Sequence, residues 1–275
     1  MDDANALGEF LKARRALVRP EDVGLPRGGL RRVPGLRREE VALLAGISAD
    51  YYLRLEQGRD RNPSAQVLEA VARTLRLDVA ATAYLLGLTR PRTKAGRRPA
   101  TERVPDGLRE LIDGWDRNPA YVQNGLTDVL AANALAAALS PKYRPGGNLL
   151  RTLFLDPAER ERCPDWERLT EQAVAMVRPR TDAGDPRLAA LADELSQRSE
   201  RFRALWARHD ISRRMDRTVR ILHPEVGHLE LVKHKMALDG DEGLMVVVMH
   251  APPGSRAAEL LDILGSLSAP APQER

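Results

Sequence analysis

Apolar residues recur at helical spacing over the first 90 residues and are interrupted by clusters of proline and glycine. A helix is predicted over residues 5–17, with Asn5 as its N-cap and apolar positions at Leu7, Phe10, Leu11 and Leu17. Residues 18–36 contain three prolines and four glycines and therefore predict a loop. Three or four short helices alternating with turns are predicted between residues 37 and 88.

From residue 104 onward the pattern changes to strands mixed with helices. Strand-like segments are predicted at about 120–132, 217–223, 226–237 and 244–250, with helices between and after them. A chain of 275 residues exceeds the usual size of one domain. We expect an α+β protein with an all-α domain over 1–89, a basic linker over 90–104 and an α+β domain over 105–270.

Residues 38–58 carry the steric pattern of two short helices joined by a tight turn. Ala42 lets the helices cross closely, and Gly46 can adopt the left-handed conformation that ends the first helix. Ile47 fills the angle between the helices, and Ser48 is placed to cap the second one. The segment therefore predicts a helix-turn-helix.

The second helix has a buried face and an outer face. Tyr52 and Leu55 are predicted to face the core, while the outer face near the amino end is the part that enters a DNA major groove. Arg54 is suited to a guanine, Asp50 to a cytosine amine and Ala49 to a thymine methyl group. Residues 37 and 38, which begin the preceding helix, are arginines placed for phosphates, where they set register without discriminating bases.

Ala45-Gly46-Ile47-Ser48 and Glu56-Gln57-Gly58-Arg59 resemble the XRE/Cro-like helix-turn-helix family, whose usual forms are Ala-Gly-Val-Ser and Glu-x-Gly-Lys/Arg. Arg38 stands where that family has a phosphate-clamping glutamine, and the long loop 18–36 is a second departure. A helical hairpin in an unrelated bundle is the alternative interpretation. The candidate DNA-contacting residues are Arg37, Arg38, Ser48, Ala49, Asp50, Tyr51, Arg54 and Arg59.

Positive charge is concentrated at the amino-terminal end. Residues 1–100 hold 19 Lys and Arg against 12 Asp and Glu, whereas the remaining residues hold 24 against 27. This asymmetry is typical of a phosphate-binding module joined to a nearly neutral domain. In the loop, Arg31 and Arg32 are candidates for an arm in the minor groove, and a solvated loop is the alternative.

The composition also indicates a compartment. The chain has 43% hydrophobic residues and no apolar run long enough to span a membrane, and it opens with the acidic stretch Met1–Asn5. Its single cysteine, Cys163, permits no internal disulfide and is expected to be an ordinary small residue beside a helix start. We therefore expect a cytoplasmic protein without a membrane partner.

Several phrases of the second half look like the C-terminal domain of MmyB-like regulators. They are residues 151–157, 165–166, 202–209, 223–227 and 251–255, and residues 34–41 are similar to the same group. The resemblance implies a PAS-like α+β sensor that holds a fatty-acid-like ligand, with the helix-turn-helix as its output.

The ligand candidates are large rings and possible carboxylate anchors of this second half. They are Trp115, Arg151, Phe154, Trp166, Arg178, Phe202, Trp206 and His209. Apolar pockets with few polar anchors are usual for such ligands. Ordinary core packing is the alternative for each ring, and capping or core hydrogen bonding is the default expectation for His209 and for His223.

Other chemistry has weak support in the sequence. There is no phosphate-binding glycine loop, nucleophile elbow or His-Glu-x-x-His motif, so we expect no cofactor and no catalytic site. His228, Glu230 and His234 share one face of a predicted strand, but the two histidines are about 20 Å apart at roughly 3.3 Å per residue. These three are therefore expected to be ordinary strand residues, and Asp239–Gly243 a hairpin turn.

The resulting hypothesis is a transcription regulator that binds double-stranded DNA at a specific operator as a homodimer. Two alternatives from other classes are an enzyme fused to a DNA-targeting module and a protein-interaction module that uses the helical bundle as a docking surface.

Overall fold

The computed structural model describes residues 6–26, 33, 35–60, 62–89, 103–180, 185–212, 217–238 and 243–268. They fold into two compact units, each formed by two separate stretches of the chain. Unit 1 comprises Met1–Thr93 with Val174–Arg213, and unit 2 comprises Lys94–Ala173 with Arg214–Arg275. The division falls within the helix α10, Trp166–Val177.

The described residues of unit 1 form helices joined by turns and loops and include no strand. Besides the end of α10, its helices are α1 (Ala6–Leu17), α2 (Arg38–Ala45), α3 (Ala49–Glu56), α4 (Ala65–Thr74), α5 (Val79–Gly87), α11 (Pro186–Arg198) and α12 (Glu200–Ala207), and short 3-10 turns lie at Pro20–Val23 and Arg178–Arg180. Side-chain caps begin several of them. The hydroxyl of Ser64 accepts a hydrogen bond from the Val67 N–H at 3.3 Å, and the carboxylate of Asp78 accepts one from the Ala81 N–H at 2.8 Å.

The core of unit 1 lies where the apolar faces of its helices meet. Phe10, Tyr52 and Leu85 are fully buried there, and each large apolar side chain contributes about 1.5–3 kcal/mol by leaving water. Ile211, which follows α12, belongs to the same cluster. Residues 174–212 therefore lie in the same unit as the helix-turn-helix, and Ile211 contributes to its core.

Unit 2 contains a five-stranded antiparallel sheet in the order β2-β1-β5-β4-β3. The strands are β1 (Ala120–Gln123), β2 (Val129–Ala132), β3 (Thr218–His223), β4 (Gly227–Ala237) and β5 (Met245–His250). The helices are α6 (Asp106–Asp113), α7 (Ala134–Leu139), α8 (Leu149–Leu155), α9 (Pro157–Arg162) and α13 (Arg256–Ser268), together with most of α10 and a 3-10 turn at Pro141–Tyr143.

Alternation along the strands gives the sheet two buried faces. On one face Tyr121 and Val247 pack in a cluster with residues of α7 and α13. On the other face Val122 and Val246 pack with Ile112 of α6. Both faces of the central strands are thus covered, which suits their short, almost wholly apolar sequences.

The structure confirms the α+β fold class, with an amino-terminal helical region and a carboxy-terminal mixed domain. The segment predicted as one strand over 120–132 is two strands, because Asn124–Asp128 form a tight loop in which Thr127 has φ 68°. Most of the predicted linker, and residues 239–242 of the predicted hairpin turn, lie outside the described residues. The domain boundaries remain a prediction. Residues 174–212 follow the predicted linker in the chain but pack within unit 1.

Candidate DNA interface and ligand-binding residues

The turn between α2 and α3 has the geometry expected of a helix-turn-helix. Gly46 is left-handed, with φ 69° and ψ 32°, a conformation that costs little only for glycine. The N–H of Ile47 donates to the Ala42 carbonyl at 3.0 Å, and the Ser48 hydroxyl accepts from the Tyr51 N–H at 3.1 Å. These local bonds end α2, begin α3 and set the angle between them.

The helix α3 buries one face and exposes the other. Tyr52 and Leu55 are fully buried, as the sequence predicts, while Ala49, Asp50 and Arg54 are exposed. The exposed set presents a methyl group, a carboxylate and a guanidinium near the amino end of the helix. Such groups can contact base edges in a major groove.

Tyr51 is half-buried and links the outer face of α3 to the segment that follows it. Burial and the nearby carboxylate of Asp60, with which Tyr51 shares a hydrogen bond, raise the pKa of the Tyr51 phenol. The phenol therefore stays protonated. The Arg54 guanidinium lies 5.5 Å from the centre of the Tyr51 ring, which favours an outward, ordered position for this arginine.

An ion triad centred on the buried Glu56 ties the end of α3 to α1 and α2. The Glu56 carboxylate accepts from Arg15 Nε at 2.5 Å and from Arg38 Nε at 2.6 Å. Burial of Glu56 opposes its ionisation, but the hydrogen bonds and positive charges of the two arginines together outweigh burial and hold its pKa below the usual value. Arg15 also donates to the Leu36 carbonyl at 2.7 Å, so the triad fixes the chain that enters α2.

The basic residues predicted to contact phosphates differ in their surroundings. Arg37 and Arg59 are exposed, and the Arg37 backbone N–H donates to the Glu40 carboxylate at 2.7 Å. Arg38 has 45% of its side chain exposed and is bound to Glu56, so it has a structural partner in addition to any phosphate. Arg31 and Arg32 lie outside the described residues.

Four of the predicted ligand residues lie in unit 2. The Trp166 indole N–H donates to the Leu153 carbonyl at 2.8 Å, and Trp115 packs beside the α6 cluster. Phe154 is buried and Arg151 is exposed. The indole of Trp166 thus has a backbone partner, as expected of a packed tryptophan.

The other four lie in unit 1, so the predicted set is divided between the two units. Phe202 and Trp206 stack with centroids 5.5 Å apart, and the Arg178 guanidinium lies 3.7 Å from the Trp206 ring centre. His209 packs edge-on against Phe10 at 6.3 Å. Burial, helped by nearby arginines, lowers the pKa of His209 to about 3, so this side chain is neutral at physiological pH.

Three histidines and the cysteine have identifiable environments. His223 lies within 3.1 Å of the Ala138 carbonyl, a core hydrogen bond of the kind expected for it, and His234 Nε2 is 3.2 Å from His250 Nε2 on the neighbouring strand. Within the described ranges, no three His, Cys, Asp or Glu side chains are grouped closely enough for a metal ion. Burial raises the pKa of the Cys163 thiol to about 12, and the thiol donates to Glu159 at 3.0 Å.

Sequence reasoning missed Gln123, at the end of β1. Its side chain is completely buried, and neither amide atom has a hydrogen-bond partner among the described residues. The available indication was a single amide at the end of the otherwise apolar segment Ala120-Tyr121-Val122. A polar residue in a strand buried on both faces has to be satisfied by something other than bulk water.

No helix in the described part of the chain is long and apolar enough to cross a membrane. Residues 104–264 match the family of the MmyB-like transcription regulator ligand binding domain, and residues 6–85 match a helix-turn-helix domain. A comparison with curated proteins finds no similar sequence. The geometry at Gly46 and Ser48 agrees with the second match, and the first covers more than half of the chain. The chain therefore belongs to the MmyB-like transcription regulators, with a helix-turn-helix DNA-binding domain ahead of a ligand-binding domain.

Proposed function

We propose that this regulator binds a specific operator through the outer face of α3 and that a small apolar, fatty-acid-like ligand changes its affinity for that operator. Family membership supplies the two modules, and both are regulator domains rather than enzymes. The observation that carries the proposal is that residues 174–212, part of the matched ligand-binding region, pack within the helix-turn-helix unit, with Ile211 in its core.

The outer face of α3 supports specific contacts with bases. Arg54 is exposed and steadied by the Tyr51 ring, and a bidentate arginine is the commonest partner of guanine. Asp50 has the acceptor that a cytosine amine needs, and Ala49 has a methyl surface suited to thymine. Arg37, Arg38 and Arg59 are assigned to phosphates, which position the protein without discriminating bases.

Contacts within unit 1 supply a route for ligand control. Arg14 of α1 binds Asp210 at 2.5 Å, His209 packs against Phe10, and Ile211 joins the core cluster. A ligand that prefers one arrangement of this segment would alter the support of α1, and thus of the helix-turn-helix. The change in operator affinity cannot exceed the difference in ligand affinity between the two arrangements.

The ligand class follows from the apolar composition of unit 2. Tyr121 stacks on Tyr143 with centroids 4.7 Å apart, amid a cluster that is otherwise aliphatic. An acyl chain among such residues gains about 0.8 kcal/mol per buried methylene. We include a homodimer in the proposal, because regulators of this kind commonly place two recognition helices on a palindromic operator. We also propose that the regulator acts in the cytoplasm, where the DNA is.

The test of DNA recognition is selection of bound fragments from random DNA by the full chain. We expect enrichment of an inverted repeat whose half-sites are separated by about one helical turn, 10–10.5 base pairs. Fragments bound without sequence preference would contradict the operator proposal. Enrichment of a single half-site, together with the mass of one chain for the DNA-bound protein, would contradict only the homodimer.

Control by the ligand is tested by titrating the operator complex with saturated fatty acids of increasing length. Asp210→Asn should bind the same acids but lose their effect on operator affinity, because the ion pair with Arg14 is gone. Glu259→Gln, which removes a carboxylate from an exposed surface pair, is the matched control. A response that survives intact in Asp210→Asn would show that this contact does not transmit the change.

A further inference from the structure

Gln123 is an unusual residue of unit 2. Its side chain has no exposed surface, yet both the amide oxygen and the amide nitrogen lack partners among the described residues. Other buried amides of this unit are satisfied: Asn133 accepts from the Ala120 N–H at 3.0 Å, and Asn148 donates to the Leu126 carbonyl at 2.9 Å. Among the described residues of this unit, two hydroxyl oxygens also lack partners, and Gln123 differs from them in leaving two amide atoms unsatisfied.

The position of Gln123 in the sheet is well defined. It pairs with Met245 of β5 and with Val129 of β2, and it shares a sheet face with Tyr121 by alternation. The register with β2 shifts between Val122 and Gln123. The extra residue, Leu130, belongs to β2, and such irregularities are common beside binding sites.

A buried carboxamide without partners is destabilising, because it loses its bonds to water and gains none in return. Folded proteins satisfy nearly all such groups with protein atoms, ordered water or a ligand. Gln123 lies in the ligand-binding domain and has both a donor and an acceptor that need partners. Such a neutral amide is suited to holding the polar part of an otherwise apolar molecule.

The chemistry of the amide restricts the ligand head. Oε1 needs a donor and Nε2 needs an acceptor, side by side in one plane. A carboxylate ion offers only acceptors and would leave Oε1 facing another negative oxygen. A protonated carboxylic acid or a primary amide offers one donor and one acceptor at the required spacing.

We propose that Gln123 anchors the ligand by a two-point hydrogen bond to an uncharged head group, either a protonated carboxylic acid or a primary amide. This inference rests on the proposed function and states which head group the apolar ligand carries. The acyl chain then lies along the apolar face that carries Tyr121 and Val247.

The experiment measures binding of decanamide and methyl decanoate to the full chain by calorimetry. The two probes share an acyl chain, but the ester head only accepts. We expect the parent to bind decanamide at least about tenfold more tightly, since the ester supplies no donor and leaves the buried Gln123 Oε1 without its hydrogen bond. This comparison needs no variant and so does not depend on whether a substitution folds.

Gln123→Met keeps the length of the side chain and removes both polar atoms. We expect this variant to bind the two probes about equally and, without ligand, to melt at a higher temperature than the parent. Gln197→Met, at an exposed position of α11, should change neither property.

Two outcomes overturn the inference in distinguishable ways. If the parent binds both probes equally, or if Gln123→Met retains the preference for decanamide, the head group is held elsewhere and the apolar-ligand proposal stands. If neither probe binds the parent, the fatty-acid-like ligand is wrong and the anchor is wrong with it.

Discussion

Replacing Glu56 with glutamine removes the carboxylate that both Arg15 and Arg38 contact. The Glu56 side chain is 2% exposed and that of Arg15 is 10% exposed, so the substitution leaves a buried cation without its counterion. Breaking such a pair costs about 3–5 kcal/mol. Glutamine keeps an acceptor oxygen, so we expect the lower end of that range, about 3 kcal/mol.

The contribution of Arg38 is smaller, because 45% of its side chain is exposed and water screens the pair. An ion pair of this kind is worth about 0–1 kcal/mol. Arg38→Ala should therefore destabilise unit 1 much less than Glu56→Gln does. The two substitutions separate the buried half of the triad from its exposed half.

The assay is native-state hydrogen exchange of the Tyr52 and Leu55 backbone amides in α3, which reports on this unit without requiring the whole chain to unfold in one step. Glu56→Gln should lower their protection about 100-fold, and Arg38→Ala less than about tenfold. The double substitution Arg15→Met with Glu56→Met should recover most of the loss, because both buried charges are removed. Equal effects of Glu56→Gln and Arg38→Ala would show that the buried pair with Arg15 does not hold this unit together.

Three further predictions concern DNA binding and pH. Arg54→Ala should lower affinity for the selected operator by about 1–3 kcal/mol in a gel-shift titration. Arg73 is an exposed arginine of α4, and Arg73→Ala should have little effect. Equal losses in the two variants would contradict the assigned orientation of α3. Arg38→Ala should weaken all DNA sequences about equally and flatten the salt dependence by about one unit of slope, and a loss confined to one sequence would contradict its phosphate role. The stability of unit 1 should fall as pH drops from about 6.5 towards 3. In that range His209 takes up a proton in the unfolded chain but stays neutral in the folded chain, where its pKa is about 3. Asparagine tolerates the left-handed backbone at this position, so His209→Asn should flatten the pH dependence of stability measured in a pH series of hydrogen exchange.

The helix-turn-helix was predictable from the sequence because its geometry depends on neighbouring residues. The glycine at position 46, the serine cap at position 48 and the spacing of Tyr52 and Leu55 act over one or two helical turns, and the structure places them as expected. The α+β class followed from alternation along the strands in the same way. The resemblance to MmyB-like regulators, carried by scattered phrases, is confirmed by the family match.

Only the tertiary structure decided which distant residues meet. Glu56 is 41 residues from Arg15, and Arg14 is 196 residues from Asp210, so no periodic pattern connects them. The division of the predicted ligand residues between two units, and the burial of Gln123 without partners, likewise depend on how the strands and helices pack. Local sequence determines the conformation of a segment and which of its faces is apolar. The partner of a buried charge or amide is instead set by long-range packing. Many pairs of apolar faces could pack together equally well, so the sequence pattern alone does not say which distant residues meet.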